Sequence, residues 1–225
     1  MASSITTRNQ DLPASRLIWT PFLVLCLIGA AAALRRILVL LLPPSAVGPP
    51  PLQALDTAFA ARRTLTLIHL FPALAFVIIL PAWFSRRIRA REDLHRRVTV
   101  TLFGLGAVIG VSALLLNLNP YGGLTEQSAV LFYDGLFLFS LTRAFVAFVS
   151  HQAETHRRWM MRAIAVILGV ATTRPVMGVF FATAARTHLA PQQFFGIAFW
   201  IGFTVTFVAG EWYLRTHPVQ VHQPA

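Results

Sequence analysis

The chain contains no lysine and few charged residues of any kind. Charged residues occupy 12% of its 225 positions, whereas 56% of the residues are hydrophobic. In soluble domains about a quarter of the residues are charged. A chain this poor in charge cannot cover its surface with polar groups in water, so we predict an integral membrane protein.

The sequence also has a single cysteine, Cys26, and lacks common catalytic motifs. One cysteine excludes a disulfide within the chain and a cysteine-based metal site. No Ser-His-Asp pattern, paired carboxylates or phosphate-binding loop is present. The sequence therefore predicts no catalytic residue and no metal site, and it leaves open whether any reaction is catalysed.

Acidic residues are scarce too, with eight against nineteen arginines, which gives a net charge of +11. Such an excess can indicate a nucleic-acid partner. The arginines, however, stand in short clusters between hydrophobic segments, where membrane topology explains them better. We predict the lipid bilayer as the partner and no nucleic acid.

Six hydrophobic segments approach the length of about 20 residues that a helix needs to cross about 30 Å of hydrocarbon. The predicted fold is therefore an all-α bundle of six transmembrane helices, a polytopic membrane domain over 18–214 with tails at 1–17 and 215–225. The first segment is longer than the core of a signal peptide, so we expect it to be retained. The predicted helices cover residues 18–42, 63–84, 97–117, 128–149, 159–183 and 193–214.

Most connections between these segments are short, but residues 43–51 form a proline-rich loop that we expect to be non-helical. Arginine clusters then set the orientation. The connection after the second segment holds Arg86, Arg87, Arg89, Arg91, Arg96 and Arg97. The fifth segment opens with Arg157, Arg158 and Arg162. By the positive-inside rule both regions are cytoplasmic, which predicts a bacterial inner-membrane protein with both termini in the cytoplasm.

With this orientation, a rise of 1.5 Å per residue places five ionisable residues near one plane, about 10 Å below the exported surface. Groups at such depth usually face the bundle interior. We interpret them as an outward-facing polar pocket, with one acid against three arginines, for a small anionic molecule or a lipid headgroup. The pocket residues are Arg35, Arg36, His69, Asp134 and Arg174.

Two structural alternatives remain open from the sequence. Arg35 and Arg36 could reach back to the membrane surface, with the first helix ending at Leu34. Asp134 and Arg174 could form an ion pair that serves only the fold.

A second group of polar residues is predicted at the cytoplasmic ends of the helices. It is either a collar of salt bridges, with Glu211 paired to Arg162 or Arg158, or a site for a negatively charged partner at two helix N-termini. We expect His156 to be a neutral hydrogen-bonding residue directed at Glu211. The members of this group are His95, His156, Arg157, Arg158, Arg162 and Glu211.

Two other functions stay open. A b-type haem could be bound by His69, with Met177 near its depth, or by the pair His95 and His156, which would make the protein a membrane electron carrier. No cofactor is our first expectation. Gly106 and Gly110 form a small-residue face for close helix packing, through which a structural subunit could also dock on a complex or on a second copy.

One block of the chain carries a family resemblance: His156-Arg157-Arg158-Trp159-Met160-Met161-Arg162, followed by Arg174, Trp200 and Glu211-Trp212. With these residues the chain resembles the predicted bacterial membrane-protein family catalogued as domain of unknown function 2306, over about Leu67 to Leu214. The segment Leu80 to Trp83 lacks the family's Gly and Gln, as in a divergent member. The resemblance implies a helical membrane fold and no particular activity.

Overall fold

The computed structural model describes residues 12–42 and 50–217. This part of the chain contains helices and no strand. Six of the helices are long and apolar enough to cross a membrane. The predicted all-α membrane bundle is thereby confirmed. The helices are α1 (Leu12–Leu41), α2 (Pro50–Ala60), α3 (Arg63–Phe84), α4 (Arg86–Arg89), α5 (Glu92–Leu116), α6 (Gly123–Val149), α7 (Ala153–Thr187) and α8 (Pro191–Thr216).

The limits of α3 are those predicted, whereas the other spanning helices begin before their predicted segments, and α7 and α8 also end after theirs. The largest difference is in α7, which has 35 residues and includes Arg157, Arg158 and Arg162. Helix formation is cooperative and arginine is a good helix former, so the backbone continues through these polar turns while the guanidinium groups reach water. The predicted tails overlap α1 and α8, and residues 1–11 and 218–225 lie outside the described residues.

Two expectations about the first connection are wrong. α1 continues through Arg35 and Arg36 to Leu41, so the first helix does not end at Leu34. The proline-rich stretch is not wholly non-helical, because Pro50 and Pro51 open α2. Proline lacks an N–H, but the first turn of a helix does not need one. Residues 43–49 of the predicted loop lie outside the described ranges.

α7 makes the most extensive contacts of all the helices. It packs against α1, α6 and α8, while α5 joins α3 to α6. Side chains without solvent exposure, such as Phe76, Leu102 and Met160, fill the space between these helices. The outer faces carry exposed hydrophobic residues, including Leu27 and Val179, which suits a surface covered by lipid.

Glycines allow α5 to approach α6 closely. A Cβ atom added at Gly106 would lie 2.9 Å from Leu141 Cδ2, and one at Gly110 would lie 2.4 Å from Leu138 Cδ2. The predicted close packing at these glycines is confirmed. The same contact shows that α6 of this chain covers the face, so the expectation that a partner or second copy docks through Gly106 and Gly110 is wrong.

The two ends of the bundle differ in composition. We call residues 85–97 and 150–162 the basic end, because the arginine-rich connections lie there. The opposite end consists of α2, residues 117–122 and residues 187–191, and it holds the C-termini of α1, α5 and α7.

Candidate functional site

A cavity of about 480 Å³ lies inside the half of the bundle toward the opposite end. Its volume is within the range of about 300–1,000 Å³ that is typical of small-molecule sites. The five residues of the predicted pocket, Arg35, Arg36, His69, Asp134 and Arg174, all line this cavity. They come from α1, α3, α6 and α7. The geometry thus brings the five together, and ligand binding by them stays a prediction.

Much of the cavity wall is apolar. Four phenylalanines of α6 and α8 contribute to it, together with aliphatic side chains of α3, α5 and α7. An apolar wall with a few polar groups is the usual construction of a ligand site, since the wall supplies affinity and the polar groups fix orientation. The four phenylalanines are Phe137, Phe195, Phe199 and Phe203.

Arg35 and Arg36 share one carboxylate, Asp56 of α2. Arg35 donates from both terminal nitrogens to the two oxygens of Asp56, at 3.1 and 2.9 Å. Arg36 donates to Oδ1 of the same residue, and its guanidinium lies 4.6 Å from the centre of the Phe59 ring. Asp134 is therefore not the only acid near these arginines. One carboxylate still leaves the pair of guanidinium groups with an uncompensated positive charge.

His69 is held by the backbone of α5. Its Nδ1 lies 3.2 Å from the carbonyl oxygen of Ile109 and 3.0 Å from Ser112 Oγ. A carbonyl only accepts, so Nδ1 carries a hydrogen and donates it. In the neutral ring Nε2 is then the lone-pair nitrogen, available to accept a hydrogen bond.

Asp134 and Arg174 remain without partners. Neither forms an ion pair with any residue in the described part of the chain, and the buried atoms Asp134 Oδ2 and Arg174 Nε have no hydrogen-bond partner there. The predicted structural pair between them is therefore wrong. Arg174 is moreover repelled by the charges of Arg35 and Arg36.

The loop at residues 117–122 closes one side of the cavity. Arg62 donates to the carbonyl oxygens of Leu116 and Asn119, which ties α3 to the end of α5. Glu126 of α6 accepts from the backbone N–H of Gly122 at 2.6 Å. Both charged side chains line the cavity, and the charge of Arg62 acts on Glu126. Their backbone contacts were not foreseen, because the sequence shows only a charge near a helix end.

Two neutral residues of this region, Asn117 and Tyr121, also line the cavity and keep a polar atom unpaired. Burial raises the pKa of the Tyr121 phenol, so its hydroxyl stays protonated and can donate. Among the described residues, eight buried side-chain nitrogen or oxygen atoms lack a partner, and four of them belong to cavity residues. Buried polar atoms are normally hydrogen-bonded. The cavity therefore presents polar atoms that are available for hydrogen bonds.

The second predicted group separates into two parts at the basic end. Arg162 of α7 binds Glu211 of α8 through two hydrogen bonds, of 2.5 and 3.2 Å, which confirms that part of the predicted collar. Arg158 contacts Glu154 at 3.9 Å on its own helix. No hydrogen bond or ion pair of Arg157 is found within the described ranges.

The histidines of that group form the other part. His156 donates from Nδ1 to the carbonyl of Ala144 at 3.0 Å. The predicted hydrogen bond between His156 and Glu211 is wrong, because Glu211 is bound by Arg162 and His156 faces α6. The rings of His95 and His156 lie 6.0 and 6.1 Å from that of Trp83. Ligation of haem by this pair, or by His69, stays a prediction; His69 is the one histidine among the described cavity residues.

Together, fold and site define a polytopic helical membrane protein with a partly polar internal cavity. A family model described as predicted membrane protein (DUF2306) matches residues 66–214. The chain therefore belongs to this family of predicted membrane proteins. No curated protein and no solved structure matches the chain.

Proposed function

We propose that the cavity binds a small anionic molecule or an anionic lipid, for transport or for sensing. The observation that carries this proposal is the unpaired guanidinium of Arg174, whose buried Nε has no partner among the described residues of a cavity that three further arginines line. An isolated buried charge is costly unless it is paired. An anion at Arg174 would provide that pairing.

The charges around Arg174 support an anion more than a cation. Arg35 and Arg36 share the single carboxylate of Asp56, and both repel Arg174. In a medium of low dielectric constant these charges act strongly on a group that enters the cavity. The field at this side of the cavity therefore favours a negative group.

Two prolines next to cavity residues support a site that changes shape. Pro72 lies inside α3, three residues after His69, and Pro175 lies inside α7 directly after Arg174. Proline in a helix interior removes one backbone hydrogen bond and is a common cause of kinks. Such points allow the halves of α3 and α7 to move relative to each other, as transport or sensing requires.

The proposed location is the inner membrane of a bacterium, with the basic end in the cytoplasm and the cavity toward the exported side. The arginine-rich loops support this orientation through the positive-inside rule. Reporter fusions after Ala90 and after Gly123 test it. We expect a cytoplasmic signal at Ala90 and an exported signal at Gly123, and the reverse pattern would overturn the orientation.

Binding is tested by native mass spectrometry of protein released from its membrane. We expect an anionic species on the wild-type protein that is lost from Arg174→Gln. Arg186→Gln is the matched control, because it removes an exposed arginine from the same helix, outside the cavity lining. Equal retention by both variants would contradict the proposal.

Haem binding is the second candidate function, and one observation at His69 favours it. His69 donates from Nδ1 to a backbone carbonyl, an arrangement that metal-bound histidines commonly show, and its other nitrogen is free to act as a ligand. The absorption spectrum of purified protein decides between the candidates. A Soret band that disappears in His69→Leu would favour haem over an anionic ligand.

A further inference from the structure

The cavity is lined by an acid and an arginine that both lack a partner among the described residues. Asp134 of α6 and Arg174 of α7 both line it, and neither has an ion-pair partner in the described ranges. We propose that the ligand is a zwitterion with an apolar body, whose anionic group binds Arg174 and whose cationic group binds Asp134. This inference rests on the proposed function of the cavity: it keeps the anionic group at Arg174 and adds a cationic group to the ligand.

A ligand with only an anionic group would satisfy half of this site. It would pair with Arg174 but leave the buried Oδ2 of Asp134 without a partner among the described residues, and it would add a further negative charge to a cavity that Glu126 and Asp134 already line. Coulomb interactions between such groups are strong at low dielectric constant. A cationic group on the same ligand removes both costs. An ammonium group on the ligand would also donate a hydrogen bond to the buried Oδ2 of Asp134, which has no donor among the described residues.

Three other polar residues of the cavity also fit a zwitterionic ligand. His69 presents Nε2 as an acceptor and Asn117 has an unpaired Oδ1, so both can take hydrogen bonds from an ammonium group. Tyr121 supplies a donor for a carboxylate or phosphate. Acceptors and donors are thus both present around the cavity, whereas a pure anion site would need donors alone.

The wall of the cavity defines the remainder of the ligand. Phe137, Phe199 and Phe203 line it together with aliphatic residues, so a hydrocarbon body would be covered by apolar surface. Each buried methylene contributes about 0.8 kcal/mol of transfer free energy. An amino acid with a long alkyl chain and a lipid with an amine and phosphate headgroup share this chemistry, and the experiment distinguishes them.

The test measures the affinity of the protein, held in lipid nanodiscs, for four probes that are built on the same ten-carbon chain. Two are zwitterions, 2-aminodecanoic acid and 10-aminodecanoic acid, which differ in the separation of their charges. The others carry one charge each: N-acetyl-2-aminodecanoic acid is an anion and 2-aminodecanamide is a cation. We expect at least one zwitterion to bind about tenfold or more tightly than both singly charged probes, which corresponds to about 1.4 kcal/mol.

Two variants test whether Asp134 causes the preference for a zwitterion. Asp134→Asn should remove the advantage of the zwitterion and leave the affinity for the anionic probe unchanged or higher. Asp93→Asn is the control, because it removes an exposed carboxylate outside the cavity lining. A zwitterion preference that survives in Asp134→Asn would overturn the assignment.

The outcomes separate this inference from the proposed function. If the anionic probe binds as tightly as the tighter of the two zwitterions, the cavity is an anion site and only the zwitterion inference fails. If no probe binds, the same nanodiscs are prepared with phosphatidylethanolamine and phosphatidylglycerol. Selective retention of phosphatidylethanolamine would support a zwitterionic lipid. Retention of phosphatidylglycerol alone would overturn the inference, and retention of neither would end both proposals.

Discussion

The two halves of the bundle use the same residue types in different ways. At the basic end, Arg162 is paired with Glu211 and many other arginines are exposed, so their charges are neutralised or hydrated. In the cavity half, Asp134 and Arg174 stay unpaired within the described structure. Outside the cavity lining, the unpaired buried atoms of the described residues belong to Trp83, His95, Ser140 and His156, which are neutral or weakly basic groups. Among the same residues, the two with an unpaired buried atom that can carry a full charge, Asp134 and Arg174, both line the cavity.

Paired and unpaired charges have opposite effects on the stability of the fold. Paired charges lock neighbouring helices and their removal should destabilise the fold. Unpaired charges inside the bundle oppose folding, and they persist in proteins where binding or catalysis uses them. Removal of a paired charge should therefore lower the stability of the fold, whereas removal of an unpaired charge inside the bundle should raise it.

The largest expected effect is at the Arg162–Glu211 pair. Glu211→Arg places two guanidinium groups where a two-bond pair now joins α7 to α8, with both side chains about four-fifths covered. We expect a loss of about 2–3 kcal/mol in the free energy of unfolding. Thermal unfolding in detergent measures it. Glu154→Arg is the control, since its pair with Arg158 is longer and more exposed and should be worth less than about 1 kcal/mol. Similar losses in both variants would contradict the comparison.

Asp56 tests the one place in the cavity half where charges are paired. Asp56→Asn should cost about 1–2 kcal/mol, because Arg35 and Arg36 lose their shared carboxylate and α2 loses its attachment to α1. The added positive charge should also raise the affinity for the anionic decanoic probe. Unfolding and binding are measured on the same preparation. A variant with weaker anion binding would show that Asp56 shapes the site instead of limiting its charge.

Asp134→Asn should act in the reverse direction. Asparagine cannot ionise, so this variant avoids the cost of a carboxylate whose buried Oδ2 has no partner in the described structure, and the free energy of unfolding is expected to increase by about 1 kcal/mol in ligand-free protein. Differential scanning fluorimetry in lipid nanodiscs detects this. A clear loss of stability would mean that Asp134 has a structural partner, and the contrast between the two halves would fail there.

The smallest effects are expected at two histidines with left-handed backbone, one at each end of the bundle. His151 has φ of 55° and His188 has φ of 53°. Glycine adopts this conformation without the steric cost of about 1 kcal/mol that other residues bear. His151→Gly and His188→Gly should each stabilise the protein by up to about 1 kcal/mol in thermal unfolding. Because both lie outside the cavity lining, probe binding should be unchanged.

Much of the fold follows from the sequence because it depends on local properties. Hydrophobic length sets the number of spanning helices, and α3 has the limits that its segment predicts. The rise per residue placed His69, Asp134 and Arg174 at one level, since depth along a helix can be counted. Rotation around the helix axis and the position of a neighbouring helix cannot be counted in this way.

Only the tertiary structure decided which charges pair. Asp134 and Arg174 line one cavity but form no bond with each other in the described structure, whereas Arg35 and Arg36 bind Asp56, 20 or more residues away on a helix that begins with two prolines. His156 turned toward the Ala144 carbonyl because Arg162 holds Glu211. The sequence determined the membrane fold and the depth of its polar residues. The packing of the helices against one another determined which residues those polar side chains bind, because an ion pair depends on distances of a few ångströms across helices.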